Sequence, residues 1–222
     1  MIPVNVVEQS ARIVAAPTRD EAITRLEQFG RICYRSQPKG DPLAFLEMLL
    51  DRDPPHLSVF EHCSISTHFV TDRGVSHEMV RHRIGSYSQE STRFCNYGAH
   101  RGGVTFCRPA WRTVGGNWYE SWRMGMADAA GRYQAALEDG EAPQQARDFL
   151  PNSVKTEIVA TWNLAQVLHV LKMRAVKPAH PQMIALMGLW ISEIRAWFPE
   201  FLDISRHIWS PRGVNEEMER AD

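Results

Sequence analysis

The chain has 222 residues, 44% hydrophobic and 23% charged, a composition that suits one substantial core in a soluble protein. Its 25 Lys and Arg face 26 Asp and Glu, a net charge of −1, so the global field does not favour nucleic acid. No apolar run reaches membrane-spanning length, and MIPVNVVEQSARIVAAP lacks the basic region of a signal peptide, so no membrane partner is expected. The four cysteines (Cys33, Cys63, Cys95, Cys107) form no C-x-x-C pair. Buried or idle thiols in a reducing, cytoplasmic setting are expected.

In chain order, VNVVEQSARIVAA is β-rich at both ends and predicts a strand or hairpin. TRDEAITRLEQFGRICY predicts a helix with Ile23, Leu26, Phe29 and Ile32 on one face and Thr18 or Asp20 as cap. DPLAFLEMLLDR opens on Asp-Pro and predicts a second helix, ended by DPP. HCSISTHFV alternates, with Cys63, Ile65, Thr67 and Phe69 on one face, and predicts a strand. GVSHEMVRHRI predicts a short helix turning Val75, Met79 and Val80 inward, and GSYSQESTRFCNYGAHRGG a loop. A long helix ended by Gly140, a shorter one stopped by Pro151, and a strand over KTEIVATWN follow. NLAQVLHVLKMR then carries an apolar stripe (Leu164, Val167, Leu168, Leu171). PQMIALMGLWISEIRAWF carries another, from Met183 to Phe198, and such stripes fit core and subunit contact equally. The polar tail NEEMERAD is expected to fray. One α+β domain over 1–222 is the simplest account.

Three kinds of chemistry find no support. His62 and His68 on one strand face would lie roughly 20 Å apart, and His77 and His82 are five apart on a helix, so no metal site is expected. There is no G-x-S-x-G and no adjacent Cys-His pair for an activated nucleophile. Neither Gly-rich phosphate loop occurs, so an anionic ligand would have to be held by side chains.

The stretch RHRIGSYSQESTRF (81–94) offers those side chains. On a helix, Arg81 and Arg83 would point about 200° apart, toward two ligands. Glu78 and Glu90 are not placed to pair with them, and Ser86, Ser88, Gln89, Ser91 and Arg93 supply donors for a phosphate or a base. Residue chemistry leaves two readings open: a small-anion site, or a structural or solvated stretch.

R-H-R, seven residues, then Ser (Arg81-His82-Arg83 to Ser91, with Arg93 beyond) resembles the signature of the flavin-dependent thymidylate synthases. SVFEH (58–62) is similar to that family's upstream T-P-F-E-H segment. ARDFLP (146–151), Asn163, His169 and LKMR ending at Arg174 resemble its C-terminal half. The likeness covers roughly residues 55–200. It implies an α+β fold, with a small antiparallel sheet flanked by helices and a helical excursion. The implied activity is reductive methylation of dUMP to dTMP, with methylenetetrahydrofolate as carbon donor, FAD as cofactor and NADPH as reductant. It further implies a homotetramer with inter-subunit active sites and no cysteine nucleophile.

Carried over by position, Ser58, Glu61, Arg81, His82, Arg83, Gln89, Asn163 and His169 are expected at FAD. Glu78, Arg81, Gln89, Glu90, Ser91, Thr92, Arg93, Arg147 and Arg174 are expected at dUMP. Arg174 is the catalytic candidate, a fixed cation facing the uracil edge. The chain departs from the family where Ser88-Gln89 stands for a frequent Asn-Glu, Phe94 for Tyr and Ala165 for Arg. Duller readings stay open: His82 as a buried structural histidine, His169 as plain helix surface, Arg147 paired with Glu141 or Glu157, and Arg174 as a helix C-cap. A catalytically inert nucleotide-binding protein and a different flavoprotein also remain as alternatives.

Overall fold

The computed structural model describes residues 4–98 and 101–209, so the tail 215–222 lies outside the described residues. Among the described residues, six strands and eight helices run in the order β1 (Asn5–Val7), β2 (Ser10–Ala15), α1 (Arg19–Tyr34), α2 (Pro42–Leu50), β3 (Ser64–Asp72), α3 (Arg73–Met79), β4 (Ser86–Gln89), β5 (Thr105–Cys107), α4 (Asn117–Glu138), α5 (Pro143–Ala146), β6 (Lys155–Asn163), α6 (Leu164–Arg174), α7 (Pro181–Trp197) and α8 (Pro199–Ile204). Short 3-10 turns occupy Leu57–His62 and Arg147–Phe149. The fold is α+β, a small antiparallel sheet flanked by helices, with strand order β2-β3-β6-β4. The chain divides into two compact units, one of residues 1–10, 69–81 and 88–158, the other of 11–68, 82–87 and 159–222.

In the first unit β1 lies parallel to β5, with Val6 opposite Phe106. The N-terminal stretch, expected as a strand or hairpin, forms two strands in different sheets. Phe106, Val104, Ala130, Tyr133, Ala146 and Val154 form this unit's core cluster, which gathers β5, α4 and α5. Gly116 precedes α4, and Gly140, at φ 93°, lies just past its end.

In the second unit a capping box closes the start of α1: Thr18 accepts from the Glu21 N–H, and the Glu21 carboxylate from the Thr18 N–H. Ile23 and Leu26 are buried as expected, but Ile32 is exposed. Gly30 is buried against α2, where an added Cβ would meet Phe45 at 2.9 Å and Leu49 at 3.0 Å. The inward stripes of α6 and α7 are buried, among them Leu168, Leu171, Met187 and Trp190. Trp190 donates to the Thr67 hydroxyl of β3 at 3.0 Å, which satisfies both buried polar groups.

Two expectations near the arginine stretch fail. α3 ends at Met79, and the Arg81 N–H bonds to Glu78 in a tightened last turn, so Arg81, His82 and Arg83 are not helical. The carbonyl of His82 is taken by the Tyr87 hydroxyl, a bond that a continuing helix would contest. Residues 86–89 are a strand instead of loop, with Tyr87 and Gln89 turned inward and Ser86 and Ser88 exposed. His62, likewise, sits in a 3-10 turn and not on β3.

Candidate active site

In the second unit, His82 is the pivot. Its side chain is buried, 6% exposed, and its Nε2 accepts from Arg174 Nε at 2.9 Å. Acceptance at Nε2 requires a neutral ring with its proton on Nδ1. Burial first, then the Arg174 charge and His169, push the His82 pKa down from 6.5 to about 4. The exposed His169 ring stands edge-on to it, centroids 5.7 Å apart. Beneath them Tyr87 bonds the His82 carbonyl and accepts from Trp162 Nε1 at 2.9 Å. Gly85 lies so close to Trp162 that an added Cβ would fall 2.5 Å from the indole.

Arg174 closes the last turn of α6, yet its Nε is committed to His82, so it does more than cap a helix. Asn163 is the N-cap of the same helix, with Oδ1 accepting from Gln166 N at 2.8 Å. Its amide N–H groups are left for a ligand. Arg83, Ser58 and Glu61 are exposed, and the Arg83 guanidinium makes no side-chain hydrogen bond or ion pair among the described residues. This donor set, an uncommitted guanidinium with hydroxyl, amide and imidazole groups, fits a flavin nucleotide with its diphosphate.

The first unit holds the remaining candidates. Gln89 points its amide nitrogen inward, to Ser76 Oγ at 2.8 Å and Thr156 Oγ1 at 3.2 Å. Ser76 donates in turn to the Arg73 carbonyl at 3.0 Å, so it must accept from Gln89, which fixes which way the amide faces. The Glu90 carboxylate meets Lys155 Nζ at 3.0 Å, and the Glu90 carbonyl accepts from Arg73 Nη1 at 3.2 Å. After Glu90 the chain turns tightly, with Phe94 N and Cys95 N both bonded to the Ser91 carbonyl. Thr92 is buried in that turn, and Arg147 reaches its hydroxyl at 3.4 Å, not Glu141 or Glu157. Arg93 lies over the exposed Phe94 ring at 5.0 Å. The side chains of Arg81 and Arg93 have no hydrogen-bond or ion-pair partner among the described residues, and Glu78 sits at the end of α3.

The sequence-based candidates thus fall into two groups, with His82, Arg83, Ser58, Glu61, Asn163, His169 and Arg174 on the second unit and the rest on the first. Lys155, Arg73 and Tyr87 were missed, and only the S-Y-S-Q alternation hinted at the strand that orients Tyr87 and Gln89. Among the described residues no cluster of His, Cys, Asp or Glu could hold a metal ion. Nor is any described helix long and apolar enough to cross a membrane.

The family model described as thymidylate synthase complementing protein matches residues 12–200. The flavin-dependent thymidylate synthase of Geobacter sulfurreducens is 31% identical over 167 residues, 70% of each chain. That of Pyrococcus abyssi is 26% identical over 195 residues, 87% of this chain and 79% of its own. Among solved structures, the UMP/dUMP methylase PolB of Streptomyces cacaoi bound with 5-Br dUMP superposes with a TM-score of 0.74 at 21% identity, over 93% of this chain and 98% of its own. Thymidylate synthase X of Helicobacter pylori, with FAD and dUMP, gives 0.70 at 17% identity, over 90% and 100%. At those identities the two structures establish a shared fold.

Proposed function

The chain belongs to the flavin-dependent thymidylate synthase family, and on that footing we propose how its side chains divide the work. Its activity is the FAD-dependent conversion of dUMP to dTMP. Methylenetetrahydrofolate is the carbon donor and NADPH the reductant in this reading, and no cysteine attacks the pyrimidine. Cys63 supports that last point: burial pushes its thiol up to about 11, the opposite of an activated nucleophile.

The observation that carries the reading is the state of the arginines. Arg81, Arg83 and Arg93 leave their guanidinium groups without hydrogen-bond or ion-pair partners among the described residues, in a chain of net charge −1. Arg83, with Ser58, Glu61, His169 and the Asn163 amide, binds the flavin nucleotide. Arg81, Ser91, Arg93 and Arg147 hold the dUMP phosphate, with Glu78 beside the nucleotide. Arg174, oriented by neutral His82, presents fixed positive charge to the pyrimidine as negative charge builds on it. FAD, when bound, supplies the hydride chemistry. A homotetramer with inter-subunit centres is part of the proposal, supported by the exposed Ile84, Phe94, Trp118 and Met124. We read both compact units as one family domain, because the matched span 12–200 runs through segments of each.

The test is dTMP formation from dUMP by FAD-loaded protein with the folate donor and NADPH. UMP is run in parallel, because the Streptomyces cacaoi protein is described as a methylase of both nucleotides. Flavin absorbance near ~450 nm in the purified protein is expected. Protein that takes up no FAD and forms no dTMP would refute the proposal.

A further inference from the structure

Glu90 precedes the turn that carries the nucleotide-binding side chains, and its surroundings show what holds it. Five bonds anchor residues 89 and 90 to their neighbours. The Gln89 amide donates to Ser76 and Thr156, and the Glu90 N–H to the Glu157 carbonyl at 2.9 Å. Arg73 holds the Glu90 carbonyl, and Lys155 the Glu90 carboxylate. Lys155 also meets Glu157 at 2.6 Å. The Lys155 and Glu90 side chains are only 20% and 18% exposed. A lysine already between two carboxylates is poorly placed to serve as a free cation for phosphate. Cutting its bond would leave a half-buried carboxylate uncompensated, beside Tyr97, whose phenol is held protonated by burial and by Glu90.

We propose that Lys155 is a positioning residue for the nucleotide. Acting through the Glu90 carboxylate, it fixes the turn from Ser91 to Cys95 on which Ser91 and Arg93 are presented. The ligand-facing part of the motif then begins at Ser91, and Gln89 and Glu90 serve as its foundation. This inference rests on the proposed function, so turnover of dUMP by the wild-type protein comes first. Its absence would sink that reading, whereas a normal wild type with unaltered variants sinks only this one.

The experiment is steady-state kinetics of FAD-loaded Lys155→Met, Lys155→Arg, Glu90→Gln and the double variant Lys155→Met/Glu90→Gln. Lys155→Met is expected to raise KM for dUMP about tenfold, with kcat within about twofold and flavin absorbance unchanged, because a misplaced binding group weakens binding without changing the chemistry. Lys155→Arg, which keeps the cation, stays near wild type. The double variant is no worse than Lys155→Met, because both substitutions remove the same bond. An unchanged KM in Lys155→Met overturns the proposal. So does a double variant whose loss is the sum of the two single losses, since Lys155 would then be acting on the phosphate independently of Glu90. Should Lys155→Met fail to fold, Glu90→Gln alone weakens the same pair and must raise KM for dUMP; an unchanged value there also overturns it.

Discussion

Replacing His82 by glutamine isolates the most strongly perturbed histidine. In the folded protein His82 is neutral because its Nε2 already accepts from Arg174, and a second proton there would set two donors and two cations against each other. Burial, Arg174 and His169 bring its pKa to about 4, against 6.5 unperturbed. Between those values the unfolded chain binds a proton that the folded protein refuses, so stability falls as pH drops through this window. At about 1.4 kcal/mol per pH unit, the whole window is worth roughly 3 kcal/mol, of which about 2 kcal/mol is lost by pH 5. Glutamine can accept from Arg174 through Oε1 and does not titrate. Urea unfolding of both proteins at pH 7.5 and pH 5 is the assay, since the two differ only at residue 82. Wild type should lose about 2 kcal/mol more than His82→Gln on acidification. Equal losses would show that His82 is not held neutral by this contact.

Gly85→Ala forces a methyl 2.5 Å from the Trp162 indole and breaks its bond to Tyr87. The expected cost is about 2 kcal/mol, a drop of several degrees in Tm, and an unchanged melting curve would contradict the packing described. Gln89→Glu places an acceptor where the buried Ser76 hydroxyl, already donating to the Arg73 carbonyl, needs a donor. It should destabilise by about 1–3 kcal/mol in chemical denaturation, and a neutral result would mean the side chain does not face inward. Arg174→Ala should keep its flavin absorbance and lose dUMP binding or turnover; full activity would remove Arg174 from the catalytic role.

Local pattern was enough for the elements whose neighbours bury one whole face. The alternation of KTEIVATWN marked β6 at both ends, Asp-Pro opened α2, and the apolar stripes of α6 and α7 became buried faces. The spacing from Arg81 to Ser91 was enough to indicate the family, because a linear motif can be read without any knowledge of the fold. Asn163 as an N-cap went unread, although Asn three residues before Gln is a cap signal. What the chain could not disclose locally is which distant group takes each buried polar atom. The helix stops before Arg81 while the His82 carbonyl meets Tyr87, and Tyr87 is held by Trp162, 75 residues away. Gln89 and Glu90 turn inward because Thr156 and Lys155 arrive on a strand some 65 residues later. Periodicity reports only that a residue is covered; pairing between strands decides what covers it, and here that decides which residues of the motif are left for a ligand.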